Sequence, residues 1–308
     1  MRTTRAWRAR RIVWRIRRSA PRVARPLSRV LPDPGPPTRP ILVVGCPRSG
    51  TSVLLQALLQ SSELRSVQSE GHILWDEFHH PRERGWDSDA LGAADVSERE
   101  RRYVHRAIRL VVRGNRFVDK TPENCLRIPY LDALFPDATF VFLRRRGADN
   151  VSSLMDAWRA RPRFVKYRLP EPLTGLGSLS GTQWSFALVP GWRDLRNASL
   201  EEICARQYVA CNEAVLAARR SMRDERWVDV GYEALIANPS AELGRLFDSV
   251  GVPFTPAVER YAADLRENLS RTSLTAPAAE KWRGHNRKEI ERVLPELASV
   301  EVQLGYTS

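Results

Sequence analysis

Short apolar runs alternate with longer amphipathic stretches along most of the chain. Residues 41–45, 117–119, 139–143 and 227–230 are apolar or nearly so, with the length of a strand that is buried on both faces. Stretches with the period of a helix separate these runs. Strands separated by helices require right-handed crossovers and form a parallel sheet. The pattern therefore predicts an α/β fold with a parallel β-sheet that helices flank on both faces.

Two capping boxes mark the starts of the clearest predicted helices. Ser97 precedes Glu100, and Ser199 precedes Glu202, at the spacing that lets each side chain bond the other residue's backbone N–H. These helices are predicted to run to about residues 112 and 220. Further helices are predicted at residues 51–60, 124–134, 148–158, 239–250 and 287–304.

Two long segments, 71–95 and 159–198, follow neither period and are rich in Trp, Pro, Gly and His. Irregular segments of this length in a compact domain either cover a site or are disordered. The aromatic residues in or beside the second segment fit two interpretations, acceptor binding or core packing. They are Trp158, Trp184, Phe186 and Trp192.

The formal net charge of +13 is concentrated at one end of the chain. Residues 1–39 contain twelve arginines and one acid, Asp33, so only +2 remains for the other residues. Nucleic acid is therefore not indicated as a partner of the folded domain. Residues 1–31 fit a solvated tail or an amphipathic helix on an anionic membrane, with contact to nucleic acid as the third and least favoured alternative. The Pro-rich residues 32–40 end this tail, which predicts a tail and linker over 1–39 and one domain over 40–308.

The cysteines and the apolar runs predict a cytoplasmic protein, with membrane contact restricted to the tail. Four cysteines form no CxxC pair and fit no metal-site spacing, so we expect reduced thiols. No apolar run reaches the ~20 residues of a membrane span, and the N-terminus lacks the apolar core of a signal peptide.

The first apolar run leads into a glycine-bounded loop, residues 45–52 with the sequence GCPRSGTS, and then into a predicted helix. A strand, a loop of this kind and a helix N-terminus present backbone N–H groups to a phosphate. The loop of nucleotide triphosphatases has Lys where this chain has Thr51. Its cation is instead Arg48, inside the loop. This departure weakens a kinase interpretation and favours a loop that holds one terminal phosphate.

These residues resemble the 5'-phosphosulfate loop of sulfotransferases that use 3'-phosphoadenosine-5'-phosphosulfate (PAPS). The resemblance implies a P-loop-type α/β fold and a cofactor-binding role for Arg48, Ser49, Gly50, Thr51 and Ser52. The third apolar run ends in three arginines, and Arg145 and Ser153 have the spacing of the family's 3'-phosphate segment. Arg146 stands where the family usually has an acid.

Three further segments are similar to the same family, so the resemblance runs from about residue 40 to residue 306. Lys120, in the sequence FVDKTP, would lie near the sulfuryl group. Tyr232 follows a strand and would lie near the nucleotide. Lys281 and Trp282 are similar to a segment of tyrosylprotein sulfotransferases that closes over the cofactor. The residues of 159–198 are not explained by this resemblance.

The resemblance implies transfer of a sulfuryl group from PAPS to an acceptor hydroxyl, with release of PAP. Arg48 and Lys120 are the candidate catalytic cations, and Glu70, about twenty residues after the loop, is the candidate base, with His72 as its alternative. We expect no metal, because backbone N–H groups already hold the leaving phosphate. A kinase and a non-catalytic nucleotide-binding protein are the competing interpretations. The acceptor stays open between a saccharide, a glycolipid and a small-molecule alcohol.

Overall fold

A computed structural model describes residues 23–67, 70–265, 267, 274 and 278–306. Its centre is a five-stranded parallel sheet in the order β2-β3-β1-β4-β7, which confirms the predicted fold class. The strands are β1 (Ile41–Val44), β2 (Leu64–Arg65), β3 (Arg116–Lys120), β4 (Thr139–Arg144) and β7 (Trp227–Gly231).

Helices cover both faces of this sheet. Along β1, Leu42 and Val44 join one apolar core, while Ile41 and Val43 join a second core on the opposite face. The helices are α1 (residues 23–30), α2 (Thr51–Leu58), α3 (His72–Trp75), α4 (Glu98–Val112), α5 (Ile128–Leu134), α6 (Gly147–Arg159), α7 (Leu200–Arg219), α8 (Tyr232–Ala237), α9 (Pro239–Ser249), α10 (Pro256–Ala263), α11 (Trp282–His285) and α12 (Arg287–Gln303).

Local sequence signals account for most helix boundaries. Both capping boxes form, at the starts of α4 and α7. The helix predicted over residues 124–134 was wrong in its first half, where the chain forms a 3₁₀ turn at Pro122–Leu126. The α-helix begins only at Ile128, because Pro129 lacks a backbone N–H and is favoured in a first helical turn.

The largest difference from the sequence prediction is in residues 159–198. There β5 (Val165–Leu173) and β6 (Gly181–Ser185) form an antiparallel hairpin. Pro170 and Pro172 interrupt the strand pattern, and the register shifts between Arg168 and Leu173, so periodicity does not reveal the strand. Three of the four aromatic residues, Trp158, Trp184 and Trp192, are core residues.

The Pro-rich segment packs against α4. The carboxylate of Asp33 lies 2.9 Å from His105 Nδ1. Arg109 donates to the carbonyl oxygens of Gly35 and Pro36, both at 3.1 Å. Residues 32–39 are therefore bound to the domain along this helix. The apolar–arginine pattern of residues 1–22 lies outside the described residues.

Candidate active site

The carboxyl ends of the central strands open into a cleft of about 1270 Å³. Val43 of β1 is in register with Lys120 on one side and Val141 on the other, so the segments that follow β1, β3 and β4 meet there. The hairpin β5–β6 forms the opposite wall. The cleft brings together most residues predicted from the sequence, namely Arg48, Gly50, Thr51, Ser52, Glu70, His72, Lys120, Arg145, Ser153, Tyr232 and Lys281.

Two predicted cofactor residues lie outside the cleft lining. Ser49 belongs to the loop but is fully buried, and its hydroxyl has no hydrogen-bond partner within the described residues. Trp282 is 7% exposed and packs in the core. Its helix is anchored where Asn286 donates to the Ser152 hydroxyl at 2.9 Å.

The loop after β1 lines the cleft and has a constrained backbone conformation. Gly50 caps α2 with a φ of 106°, and a Cβ there would lie 2.8 Å from the Tyr232 ring. Arg48 also has a positive φ, 72°. Asn150 of α6 donates to the Pro47 carbonyl at 2.9 Å. Sequence reasoning missed Asn150, because an asparagine on a helix gives no signal of a distant loop partner.

Two arginines converge beside this loop. Arg145 donates to the Arg48 carbonyl at 2.9 Å and stacks 4.3 Å from the Tyr232 ring centroid. Arg48 Nε donates to the Ser153 hydroxyl at 3.3 Å. Burial, and then the charge of Arg145, lower the pKa of Arg48 to about 10. Because the two guanidinium groups are close together and shielded from water, binding of an anion between them would be favourable.

Lys281 faces these arginines from the C-terminal part of the chain. The Glu280 backbone N–H donates to Asp149 at 2.8 Å, which holds this segment against α6. Burial, and then the charge of Arg145, lower the pKa of Lys281. Sequence reasoning missed Asp149, although it lies within the Arg145–Ser153 segment.

Glu70, Lys120 and His72 form a cluster in the middle of the cleft. Glu70 Oε1 lies 2.5 Å from Lys120 Nζ, and Oε2 lies 3.4 Å from His72 Nδ1. Burial opposes ionisation of Glu70, but His72 and Lys120 outweigh it and lower its pKa. Burial also disfavours charge on His72, but Glu70 outweighs it, so the pKa of His72 is raised. The cluster thus favours an ionised carboxylate beside two cations.

The backbone of this cluster is anchored by Asp119, which sequence reasoning did not single out. Its carboxylate accepts the Gly71 N–H at 2.6 Å and the Asn124 side-chain amide at 2.9 Å. A Cβ at position 71 would lie 2.8 Å from Asp119 Oδ1. Burial raises the pKa of Asp119 to about 6. Asp119 therefore fixes the segment between Glu70 and His72.

The wall opposite the loop carries ion pairs that the sequence did not reveal. Lys166 of β5 lies 2.9 Å from Glu123 and 3.4 Å from Asp76. Arg127 lies 2.8 Å from the other oxygen of Asp76. These residues are separated by up to 90 positions in the sequence, so no motif joins them. Among the described residues, no group of three or more His, Cys, Asp or Glu could hold a metal ion.

A phosphate-type loop on a parallel sheet, buried cations beside it and a carboxylate within reach are the parts of a nucleotide-dependent group transferase. The chain matches the sulfotransferase family over residues 40–172 and 177–256. It therefore belongs to the sulfotransferase family, as the resemblance in the sequence implied.

Individual relatives are more distant. The chain is 24% identical over 292 residues to the nodulation protein NoeE of Sinorhizobium fredii. The aligned region covers 86% of this chain and 65% of that protein. The chain thus spans less than two thirds of the length of this relative.

Solved structures share the fold at low identity. The sulfotransferase STF9 of Mycobacterium avium superposes with a TM-score of 0.55 at 17% identity, over 90% of this chain and 79% of that one. The sulfotransferase domain of the curacin biosynthetic pathway gives 0.51 at 16% identity, over 89% and 99%.

Proposed function

We propose that the protein transfers a sulfuryl group from PAPS to an acceptor hydroxyl in this cleft and releases PAP. The observation that carries the proposal is the contact of 2.5 Å between Glu70 and Lys120, in the same cleft as Arg48 and the loop. A base, two cations and a phosphate loop are the groups that in-line transfer of a charged group requires.

The loop and the arginines fit the nucleotide. Backbone N–H groups at the start of α2, with the hydroxyls of Thr51 and Ser52, would hold the 5'-phosphosulfate. Arg145 and Ser153 would hold the 3'-phosphate. A buried nitrogen, Arg145 Nε, has no hydrogen-bond partner within the described residues. An anion there would also relieve the repulsion between Arg145 and Arg48.

The remaining candidates would enclose the nucleotide. Tyr232 stacks on Arg145 and lines the cleft beside Gly50, and Lys281 adds positive charge to the same half. Trp282 would act from the core by holding the segment that carries Lys281. The helix N-terminus and these cations supply the electrostatic stabilisation, so the proposed reaction needs no metal.

The chemistry assigned to the chain's own residues is proton transfer and charge stabilisation. Bound PAPS supplies a sulfuryl group on a phosphate leaving group. The acceptor oxygen forms a bond to sulfur while the bond from sulfur to the 5'-phosphate oxygen breaks. Glu70 accepts the hydroxyl proton, and Arg48 and Lys120 hold the negative charge of the sulfuryl and phosphate oxygens.

The charges around Glu70 favour it over His72 as the base. A lowered pKa keeps Glu70 ionised near neutral pH, where it can accept a proton. A raised pKa increases the protonated fraction of His72, and protonated imidazole cannot accept one. His72 is therefore assigned to holding Glu70 in place.

A titration with PAP in magnesium-free buffer tests this function directly, with ATP as the control. Micromolar or tighter binding of PAP and much weaker binding of ATP is the expected result. Tight ATP binding without preference for the 3'-phosphate would contradict the proposal and restore the kinase alternative.

The arginine-rich N-terminus supports a separate proposal. Residues 1–31 contain eleven arginines and no acid, and we propose that they contact an anionic membrane surface from the cytoplasm. Within the described residues no helix is long and apolar enough to cross a membrane. Co-sedimentation of the full chain with vesicles of anionic lipid, but not with neutral vesicles, is expected. Equal sedimentation with both would contradict the contact.

A further inference from the structure

The half of the cleft beyond Glu70 is lined by two walls, one charged and one aromatic. One wall is the ion-paired group Asp76, Glu123 and Lys166, with side-chain exposures of 17%, 4% and 17%. The other is an aromatic pair, Phe164 and Phe186, whose ring centroids lie 5.5 Å apart. All five residues line the same cleft as Glu70. A ligand in this half therefore meets both charged groups and aromatic rings.

The aromatic pair is built next to the phosphate loop. The Arg48 guanidinium lies 5.1 Å from the Phe164 ring centroid. Phe186 has a φ of 64°, in the region that favours glycine, so the fold holds its ring where an ordinary strand residue would not place it. An acceptor whose hydroxyl lies beside Arg48 therefore lies within reach of these rings.

The charged wall requires a polar neighbour. Burial opposes ionisation of Glu123, but Lys166 and then His72 outweigh it, so its pKa is lowered and the carboxylate stays charged. Glu123 Oε2 is buried without a hydrogen-bond donor within the described residues. An unmatched buried oxygen of this kind is costly until a donor reaches it. A purely apolar acceptor would seal the wall from water without supplying that donor.

The charged wall is also close to the reacting hydroxyl. The charge of Glu123 acts on both Glu70 and His72, and the charge of Lys166 acts on His72. An acceptor whose reacting hydroxyl faces Glu70 therefore presents its neighbouring groups to Glu123 and Lys166.

We propose that this half of the cleft is an acceptor subsite for a neutral, polyhydroxylated ring of the saccharide class. A second hydroxyl donates to Glu123, a further oxygen accepts from Lys166, and the apolar face of the ring packs on Phe164 and Phe186. A cleft of about 1270 Å³ exceeds the usual volume of a site for one small ligand, so an acceptor ring has room beside the nucleotide. This inference rests on the proposed sulfuryl transfer and specifies its acceptor.

Transfer of ³⁵S from labelled PAPS tests the subsite on the full chain. The acceptors are a panel of methyl pyranosides, with 4-nitrophenol as the hydroxyl acceptor that lacks a second hydroxyl. We expect kcat/KM at least tenfold higher for the best pyranoside than for the phenol. No transfer to any pyranoside, or a preference for the phenol, overturns the inference. Failure of PAP to bind would instead overturn the sulfotransferase function itself.

Two variants localise the effect, one at the subsite and one outside it. Glu123→Gln is expected to lower kcat/KM for the best pyranoside by about ten- to a hundredfold and to leave PAP affinity within twofold, which also shows that the variant is folded. Glu171→Gln is the control. Glu171, on β5, also forms an ion pair, with Arg193 at 3.0 Å, but it does not line the cleft. Equal kcat/KM in the two variants would overturn the role of Glu123. Phe164→Leu should raise KM for the pyranoside more than it lowers kcat.

Discussion

The two halves of the cleft are built in different ways. The phosphate half consists of a loop and helix starts that directly follow β1 and β4, so residues close in sequence act together. The proposed acceptor half joins Asp76, Glu123 and Lys166 from three distant segments. The acceptor half depends on contacts that only tertiary packing makes, so specificity for the proposed acceptor belongs to the part that local motifs do not describe.

Removing the base is expected to have the largest effect, because Glu70 lies where the two halves meet. Glu70→Ala should lower kcat by about 10²–10⁴-fold with little change in PAP affinity. Glu70→Gln preserves the shape and should lose as much. Steady-state kinetics with PAPS and a hydroxyl acceptor measure both. If the Glu70 variants stay fully active, His72 becomes the base.

Two substitutions of Arg48, the cation of the loop, separate the effect of its charge from that of its guanidinium shape. Arg48→Ala should lower kcat by about 10²–10³-fold, the size of effect seen when one donor to a developing charge is lost. Arg48→Lys keeps the charge and should retain most of the turnover. Equal losses in the two variants would show that the guanidinium geometry, rather than the charge, is required.

A substitution at Asp119 tests whether this residue, which anchors the backbone beside Glu70, lowers the stability of the fold. Its carboxyl pKa rises from 3.8 to about 6, so the folded protein binds more protons than the unfolded chain between these pH values. The free energy of unfolding contributed by this group therefore falls as pH rises from about 4 to about 6. Asp119→Asn should gain up to about 3 kcal/mol relative to the wild type between pH 4 and pH 7.

Urea unfolding at both pH values measures this gain, and turnover of the same variant is expected to fall because the Gly71 N–H loses a charged acceptor. Asp137→Asn is a matched control, since Asp137 accepts the backbone N–H of Arg39 at an exposed position. The same pH-dependent gain in both variants would remove the burial of Asp119 as its cause.

Arg145→Ala should act on binding more than on chemistry. We expect PAP affinity to fall about ten- to a hundredfold, while 5'-phosphosulfate lacking the 3'-phosphate is affected less. Calorimetry with PAP and with adenosine 5'-phosphosulfate compares the two. Arg144→Ala is the control, because Arg144 donates to the Leu304 carbonyl at 2.9 Å instead. A larger loss in that variant would move the 3'-phosphate site to Arg144.

The smallest effect is expected from the N-terminus. Removal of residues 1–22 should leave PAP affinity and thermal stability unchanged, whereas removal of residues 1–39 should destabilise the protein because Asp33 and its neighbours contact α4. Calorimetry with PAP and a thermal scan test both. A loss of PAP affinity on the shorter deletion would place the tail in the nucleotide site.

The parts predicted from the sequence share one physical property, which is that their signals are local. The capping boxes, the buried strands and the loop with Arg48 each lie within about ten residues, and all were placed correctly in the fold. The hairpin was missed because prolines and a register shift disrupt its alternation. Asp119 and Lys166 were missed because their partners, Gly71 and Glu123, are fixed only by tertiary packing.

The reactivity of the four buried cysteines can report on opening of the protein core. All are buried and unpaired, and burial raises the pKa of the Cys46, Cys125 and Cys204 thiols. A thiol of this kind reacts with an alkylating reagent only while the core is open. Because Cys46 lies within the phosphate loop, two residues after the end of β1, its alkylation rate reports how often that loop opens. The decrease in the alkylation rate on addition of PAP would measure how strongly nucleotide binding suppresses opening of the loop.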